Sequence, residues 1–344
     1  MSLWLVRAGG AGEHESRFLS ENKIYVTWDE LSSDLAALNN KEDLSNLLSE
    51  KYPNAKPGRI RNWVGQIWPF AKEMQLGDWV VMPSKKKASI NIGEITGEYV
   101  NEPNANNPYY HYRTINWFAT DIPRSNFDQD LLYSFGAFMT ICRIKRNDAE
   151  NRIKQMSKNG WKSSSIPLSI REPDVTLSDE ANFFDIERIA RDQLAKFVIS
   201  KFKGHGMALL IEQILKAQGY TTYRSPEGPD KGIDLLAALG PLGFGSPRIC
   251  VQVKTGDTPV DRPTLDQLIG AMQNFGADQG LLVSWSGFKS SVDKEVPNQF
   301  FKVRLWDQDL IIEELLKVYD KIDEEIKAEL PFKRVWTLTS SEED

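Results

Sequence analysis

At 344 residues, 41% hydrophobic and 26% charged, the chain exceeds what one hydrophobic core usually organises and predicts two globular domains. A formal net charge of -6 excludes a general nucleic-acid coat, yet the charge is uneven: residues 201–254 carry seven Lys or Arg against four acids, while residues 307–344 carry twelve acids against five Lys or Arg. The two cysteines, Cys142 and Cys250, have no second Cys or His at metal-clip spacing, which excludes zinc fingers and disulfide frameworks and predicts buried thiols. Met1-Ser2-Leu3-Trp4-Leu5-Val6-Arg7 reaches a charge too soon for a signal-peptide core, and no apolar run approaches the ~20 residues of a membrane span, so a cytoplasmic protein without membrane partners is expected.

Along the first 145 residues, β-branched and aromatic runs bounded by Gly and Pro predict short strands with a few helical inserts: Lys23 to Trp28, Gly77 to Pro83, Ile90 to Gly97, and an aromatic strand through Tyr109, Tyr112, Trp117 and Phe118. A small mixed β-barrel fits this pattern. Residues 161–183, with Ser163-Ser164-Ser165 and Pro167 to Pro173, read as a connector between a domain at 1–160 and one at 184–338, followed by an acidic tail at 339–344. In the second domain the periodicity predicts a helix over Phe184 to Phe202 and another over Met207 to Gln218, stopped by Gly219. Strands are predicted from Tyr220, Ile233, Arg248, Gly280 and Val303, with a helix over Thr264 to Phe275, which is an α/β sheet order. A last helix, Leu310 to Leu330, has an apolar stripe that suits packing inside the domain or across a dimer.

Chemistry concentrates between residues 205 and 254. An acid opens an apolar strand at Ile233-Asp234-Leu235-Leu236, and an alternating strand ends Ile249-Cys250-Val251-Gln252-Val253-Lys254. Strand residues two apart share a face, so Gln252 and Lys254 project together while Val251 and Val253 pack behind them. Phosphodiester hydrolysis needs a divalent ion and a cation to stabilise the developing negative charge. Asp234, the Gln252 amide and the Val253 carbonyl are three oxygen donors of the kind that hold Mg²⁺, with Mn²⁺ as a substitute, and Lys254 is the cation. Each feature alone has an ordinary reading as an edge residue or a solvated strand face.

Together these segments resemble the Mrr-type branch of the PD-(D/E)xK nuclease superfamily. The resemblance is carried by Phe202-Lys203-Gly204-His205, Gly219-Tyr220, Pro229-Asp230-Lys231-Gly232-Ile233-Asp234-Leu235, Val251-Gln252-Val253-Lys254, Gln267-Leu268-Ile269-Gly270 and Gly280 to Trp285. It implies that Asp234 holds the metal, Gln252 stands where the superfamily has a second acid, and Lys254 positions the attacking water or steadies the transition state. Gln in place of an acid removes one negative charge, and Glu212 on the preceding helix is the candidate to restore it, with a solvated helix residue as the plain alternative. Lys203, His205 and Lys231 are candidate DNA contacts, His205 also a candidate base. Each has a plain reading as a cap, packing or exposed residue.

The first domain, through Leu5-Val6-Arg7-Ala8-Gly9-Gly10, Val26-Thr27-Trp28, Gly77 to Val81 and Ile92 to Gly97, resembles the PUA-like superfamily that includes EVE-type barrels. That resemblance implies nucleic-acid binding, with a flipped or modified base against aromatic walls. Arg7, Trp28, Trp63, Trp68, Arg113 and Trp117 are the side chains to inspect, each Trp having an ordinary core reading. His14 and His111 receive no role. The combined expectation is a metal-dependent endonuclease cutting double-stranded DNA as a homodimer, a restriction or defence enzyme whose first domain selects DNA by modification. A non-catalytic DNA reader that keeps the nuclease fold is the rival, and an RNA-directed factor the third reading.

Overall fold

The computed structural model describes residues 1–136, 139–162, 186–226 and 232–336. Most of the expected connector (163–183), Lys231 and the acidic tail 339–344 lie outside them. The chain divides into two compact units, Met1–Ile122 with Asn126–Asp185, and Pro123–Ser125 with Ile186–Asp344.

In chain order the first unit contains β1 (Leu3–Val6), α1 (Glu15–Glu21), β2 (Lys23–Val26), α2 (Lys41–Lys51), α3 (Pro57–Trp68), β3 (Trp79–Pro83), β4 (Ser89–Ile95), β5 (Val100–Asn101), β6 (His111–Pro123), α4 (Gln129–Phe135), β7 (Ile141–Arg143) and α5 (Ala149–Lys158). Its seven strands form one mixed sheet, ordered β2-β6-β4-β3-β1-β7 with β5 on β6 and β1 parallel to β3. This is an open half-barrel. All four β1 residues are buried because alternate side chains enter different cores: Trp4 and Val6 pack with Phe18, Leu44, Leu48, Ile60 and Val64, whereas Leu3 and Leu5 pack with Leu131, Phe135 and Ile153. The buried Asp78 carboxylate accepts from Ser2 N–H at 2.6 Å and Trp4 Nε1 at 2.9 Å, tying the start of β1 to the start of β3. At Gly93 a Cβ would come within 2.8 Å of Ile115 and Trp117, so only glycine lets β6 lie this close. Two helices were only loosely foreshadowed in the sequence: α2, capped by the Asn40 side chain on Glu42 and Asp43 N–H, and α3, opened by Pro57 and burying Ile60, Val64 and Ile67.

The second unit contains α6 (Ile186–Lys201), α7 (His205–Ala217), β8 (Thr221–Arg224), β9 (Leu235–Leu239), β10 (Gly245–Lys254), α8 (Arg262–Phe275), β11 (Gln279–Ser284), α9 (Ser290–Asp293), β12 (Val303–Trp306), α10 (Gln308–Val318) and α11 (Glu324–Glu329). The sheet order is β12-β11-β10-β9-β8, with β10, β11 and β12 parallel and β8 and β9 antiparallel to their neighbours. On one face Leu235, Ala237, Val251, Leu281 and Val283 pack with α6, α7 and α10; on the other, Cys250 and Leu282 pack with Leu265, Leu268 and Met272 of α8. The single helix expected from Leu310 to Leu330 is broken at Tyr319–Lys321, and a new helix starts where Asp323 caps Glu325 N–H at 2.9 Å. Ile311, Leu315, Ile322 and Ile326 all enter the core of this unit, so that stripe packs internally. Among the described residues no helix is long and apolar enough to cross a membrane.

His111, fully buried in β6, is a structural group of the first unit. Its Nε2 lies 2.6 Å from the Leu31 carbonyl, which only accepts, so Nε2 carries the proton and Nδ1 accepts from the Tyr99 hydroxyl at 2.7 Å. Burial pushes its pKa down to about 4. A histidine held below its unfolded value of about 6.5 contributes stability that is complete above that pH and lost as pH falls toward 4, on the order of 3 kcal/mol. Urea unfolding between pH 7 and 4 is expected to show this loss, and His111→Gln to flatten it.

Candidate active site

The centre of the candidate site is the end of β10. Because this strand lies between β9 and β11 and is covered on both faces, Cys250, Val251 and Gln252 are all buried, and Lys254 emerges at its end. By alternation Gln252 and Lys254 share the face of Cys250, the α8 side, while Val251 and Val253 join the α7 side. Gln252 is 1% exposed, and its Oε1 has no hydrogen-bond partner among the described residues. A buried amide oxygen without a donor is costly, and a cation beside it would remove the cost.

Asp234 enters from the turn before β9. Its N–H donates to the Val251 carbonyl at 2.9 Å and its carbonyl accepts from Ser225 N–H at 2.9 Å, so the backbone is held on both sides. The Asp234 Oδ2 accepts from Val253 N–H at 2.7 Å, which places the carboxylate between the Gln252 and Lys254 positions of the neighbouring strand. Gly232, at φ +80°, brings bare backbone over the Gln252 amide, where a Cβ would lie 3.6 Å from Nε2. Thus Asp234, Gln252, Val253 and Lys254 are brought to one end of the sheet. Burial pushes the Cys250 thiol up to about 11, as suits a packing group.

Glu212 lies on α7. It is buried on the sheet-facing side of α7, where it accepts from Thr222 Oγ1 at 3.0 Å and pairs with Lys216 Nζ at 2.9 Å and Arg224 Nε at 3.3 Å. Thr222 and Arg224 stand opposite Ala237 and Leu235, on the α7 face, whereas Gln252 and Lys254 belong to the α8 face. Its carboxylate is therefore engaged by a hydroxyl and two cations. The pair with Arg224 was missed in the sequence because it joins a helix to a strand twelve residues on; the only signal was an Arg at a strand end. Lys203 and His205 are exposed at the start of α7.

In the first unit the candidates make contacts within the fold. Arg113 is 2% exposed and spends Nε and Nη2 on the Phe70 and Ala71 carbonyls, at 2.7 and 3.2 Å. Arg7 Nη2 donates to the Phe135 carbonyl at 3.2 Å, and Trp117 Nε1 to that of Phe18 at 3.0 Å. Trp63 meets Tyr52 edge-on at 5.1 Å under Arg59, and Trp28 and Trp68 rest partly buried on the core.

Comparison with known proteins places part of the chain in a family. Residues 199–315 match the family model of the restriction endonuclease catalytic domain Mrr_cat, and residues 4–141 match a domain of unknown function, DUF8426. No curated protein matches the chain. Among solved structures, the DNA modification-dependent restriction endonuclease AspBHI is 14% identical over 74% of this chain and 67% of its own, with a TM-score of 0.33. The MspJI restriction endonuclease, solved with a 27-mer oligonucleotide, is 11% identical over 96% of this chain and 80% of its own, at 0.30. A protein of unknown function is 16% identical over 38% and 76%, at 0.26. At such low scores these likenesses add nothing to the family match.

Among the described residues no three His, Cys, Asp or Glu side chains cluster to hold a metal. The donor set at the end of β10 has one carboxylate and otherwise neutral oxygens, which fits a hard cation at modest affinity. Gln252→Glu is expected to tighten Mn²⁺ binding about tenfold by adding a charge, and Gln252→Met to weaken it, as read by titration calorimetry.

Proposed function

Taking as premise that residues 199–315 are a restriction endonuclease domain, we propose that the chain is a divalent-metal-dependent endonuclease of double-stranded DNA whose first unit selects the substrate. The observation that carries this reading is the buried Gln252 Oε1, without a hydrogen-bond partner among the described residues, on the strand whose Val253 N–H holds the Asp234 carboxylate, with Lys254 at the exposed end of the same strand. Asp234, the Gln252 amide and the Val253 carbonyl would hold Mg²⁺. When bound, such an ion polarises a phosphate and lowers the pKa of water. The hydrogen bond from Val253 N–H fixes the Asp234 carboxylate, so a ligand oxygen is in place before substrate arrives. Lys254, two residues beyond Gln252 on the same face, stands where an ammonium can neutralise charge developing on the phosphate or orient the attacking water.

The selecting role falls to the first unit, where cations lie over tyrosine rings: Lys23 Nζ 3.8 Å from the Tyr112 centroid and the Arg17 guanidinium 3.8 Å from that of Tyr109. Aromatic faces beside basic groups suit nucleic acid, and a modified base is the substrate feature proposed for them. Each chain carries one such site, so cutting both strands calls for two copies. A role in restricting foreign DNA follows from that combination.

Cleavage of unmodified and cytosine-modified plasmid in Mg²⁺ or Mn²⁺ tests the proposal. Chelation is expected to abolish cutting, and Asp234→Ala and Lys254→Ala each to slow it at least about 10²-fold. Faster cutting of modified plasmid supports the selecting role. DNA binding without any cutting would instead establish a non-catalytic reader, and a requirement for unpaired RNA an RNA-directed factor.

A further inference from the structure

We propose that Arg224, held by the buried Glu212, is a DNA-phosphate-binding residue beside the catalytic centre, gripping the backbone next to the phosphate that is cut; this rests on the nuclease reading above. Arg224 is the last residue of β8, the edge strand, and stands opposite Leu235. The next residue, Ser225, donates its N–H to the Asp234 carbonyl at 2.9 Å. With strands about 4.8 Å apart and a rise of about 3.4 Å per residue, the Arg224 and Asp234 backbones are neighbours, about 6 Å apart. A long guanidinium side chain spans that gap.

The charge around Glu212 exceeds what a structural ion pair requires. Lys216, one helical turn on, already neutralises the Glu212 carboxylate at 2.9 Å, and Thr222 Oγ1 satisfies it further at 3.0 Å. Arg224 adds a second cation, leaving the trio with a net charge of +1 at the open end of the sheet. Arg224 approaches Glu212 through Nε, at 3.3 Å, its side chain is 45% exposed, and its terminal nitrogens make no hydrogen bond among the described residues. Those nitrogens form the planar fork that matches phosphate oxygens. Glu212 is 7% exposed and held at three points, so the fork is oriented before DNA arrives and less side-chain entropy is lost on binding. Alternation puts Arg224 on the α7 face and Lys254 on the α8 face, so the two cations flank Asp234 from opposite sides of the sheet end.

The test is anisotropy binding of a labelled 25-base-pair duplex (about two helical turns) to the full chain in EDTA, from low to physiological salt. Arg224→Ala is expected to weaken binding about tenfold and to flatten the slope of log K against log salt by about one. Arg224→Lys should keep the slope, since the charge remains, while Glu212→Gln should weaken binding without changing the slope. Thermal midpoints near wild type confirm that the variants fold. Wild-type affinity and slope in Arg224→Ala would overturn the assignment. A wild-type chain that neither binds nor cuts duplex DNA would overturn the nuclease reading, and this inference with it.

Discussion

The hydrogen bond from Val253 N–H to the Asp234 carboxylate, 2.7 Å long, is the contact on which the geometry of the candidate site depends. It closes the ends of β9 and β10 onto each other and faces a carboxylate toward the strand that presents Gln252 and Lys254. The two-residue period of β10 does the rest: shifting this strand by one residue would bury Lys254 and expose Val253. The apolar cores on both faces of the sheet enforce that register, because Val251 belongs to one and Cys250 to the other. The same burial leaves the Gln252 amide oxygen without a hydrogen-bond partner among the described residues.

Two acids that look alike in sequence receive opposite treatment. Asp234 lies half-buried at a strand start, where backbone amide and sheet end converge. Glu212 lies on a helix face turned to β8, and its charge is balanced locally by Lys216, Arg224 and Thr222. A buried carboxylate is stable only with such compensation, and here the compensating groups include a half-exposed guanidinium. The helix acid is thus tied to the edge strand through its contacts with Thr222 and Arg224.

In the first unit, most of the polar groups singled out by type prove to be holding the fold together. Arg113 closes the chain after α3 by donating to the Phe70 and Ala71 carbonyls, a task that leaves it buried. Asp78, inconspicuous beside Gly77 and Trp79, organises the junction of β1 and β3. The sheet is covered on both faces, so its strands read as apolar runs without clean alternation, and the helices that cover it are short and weakly marked.

The strands of the second unit, the helices before them and the conjunction of Asp234 with Gln252 and Lys254 were legible in the amino-acid sequence, because periodicity and residue type are local properties. Sequence also indicated a strand-rich first half bounded by glycine and tryptophan. Tertiary structure alone decided the seven-strand order, the break at Tyr319 in what reads as one helix, and the inward packing of Ile322 and Ile326. It also decided that Glu212 meets Arg224, since that depends on which side of the sheet a helix covers. Such choices are made by contacts between segments distant along the chain, where burial and charge compensation outweigh local preference.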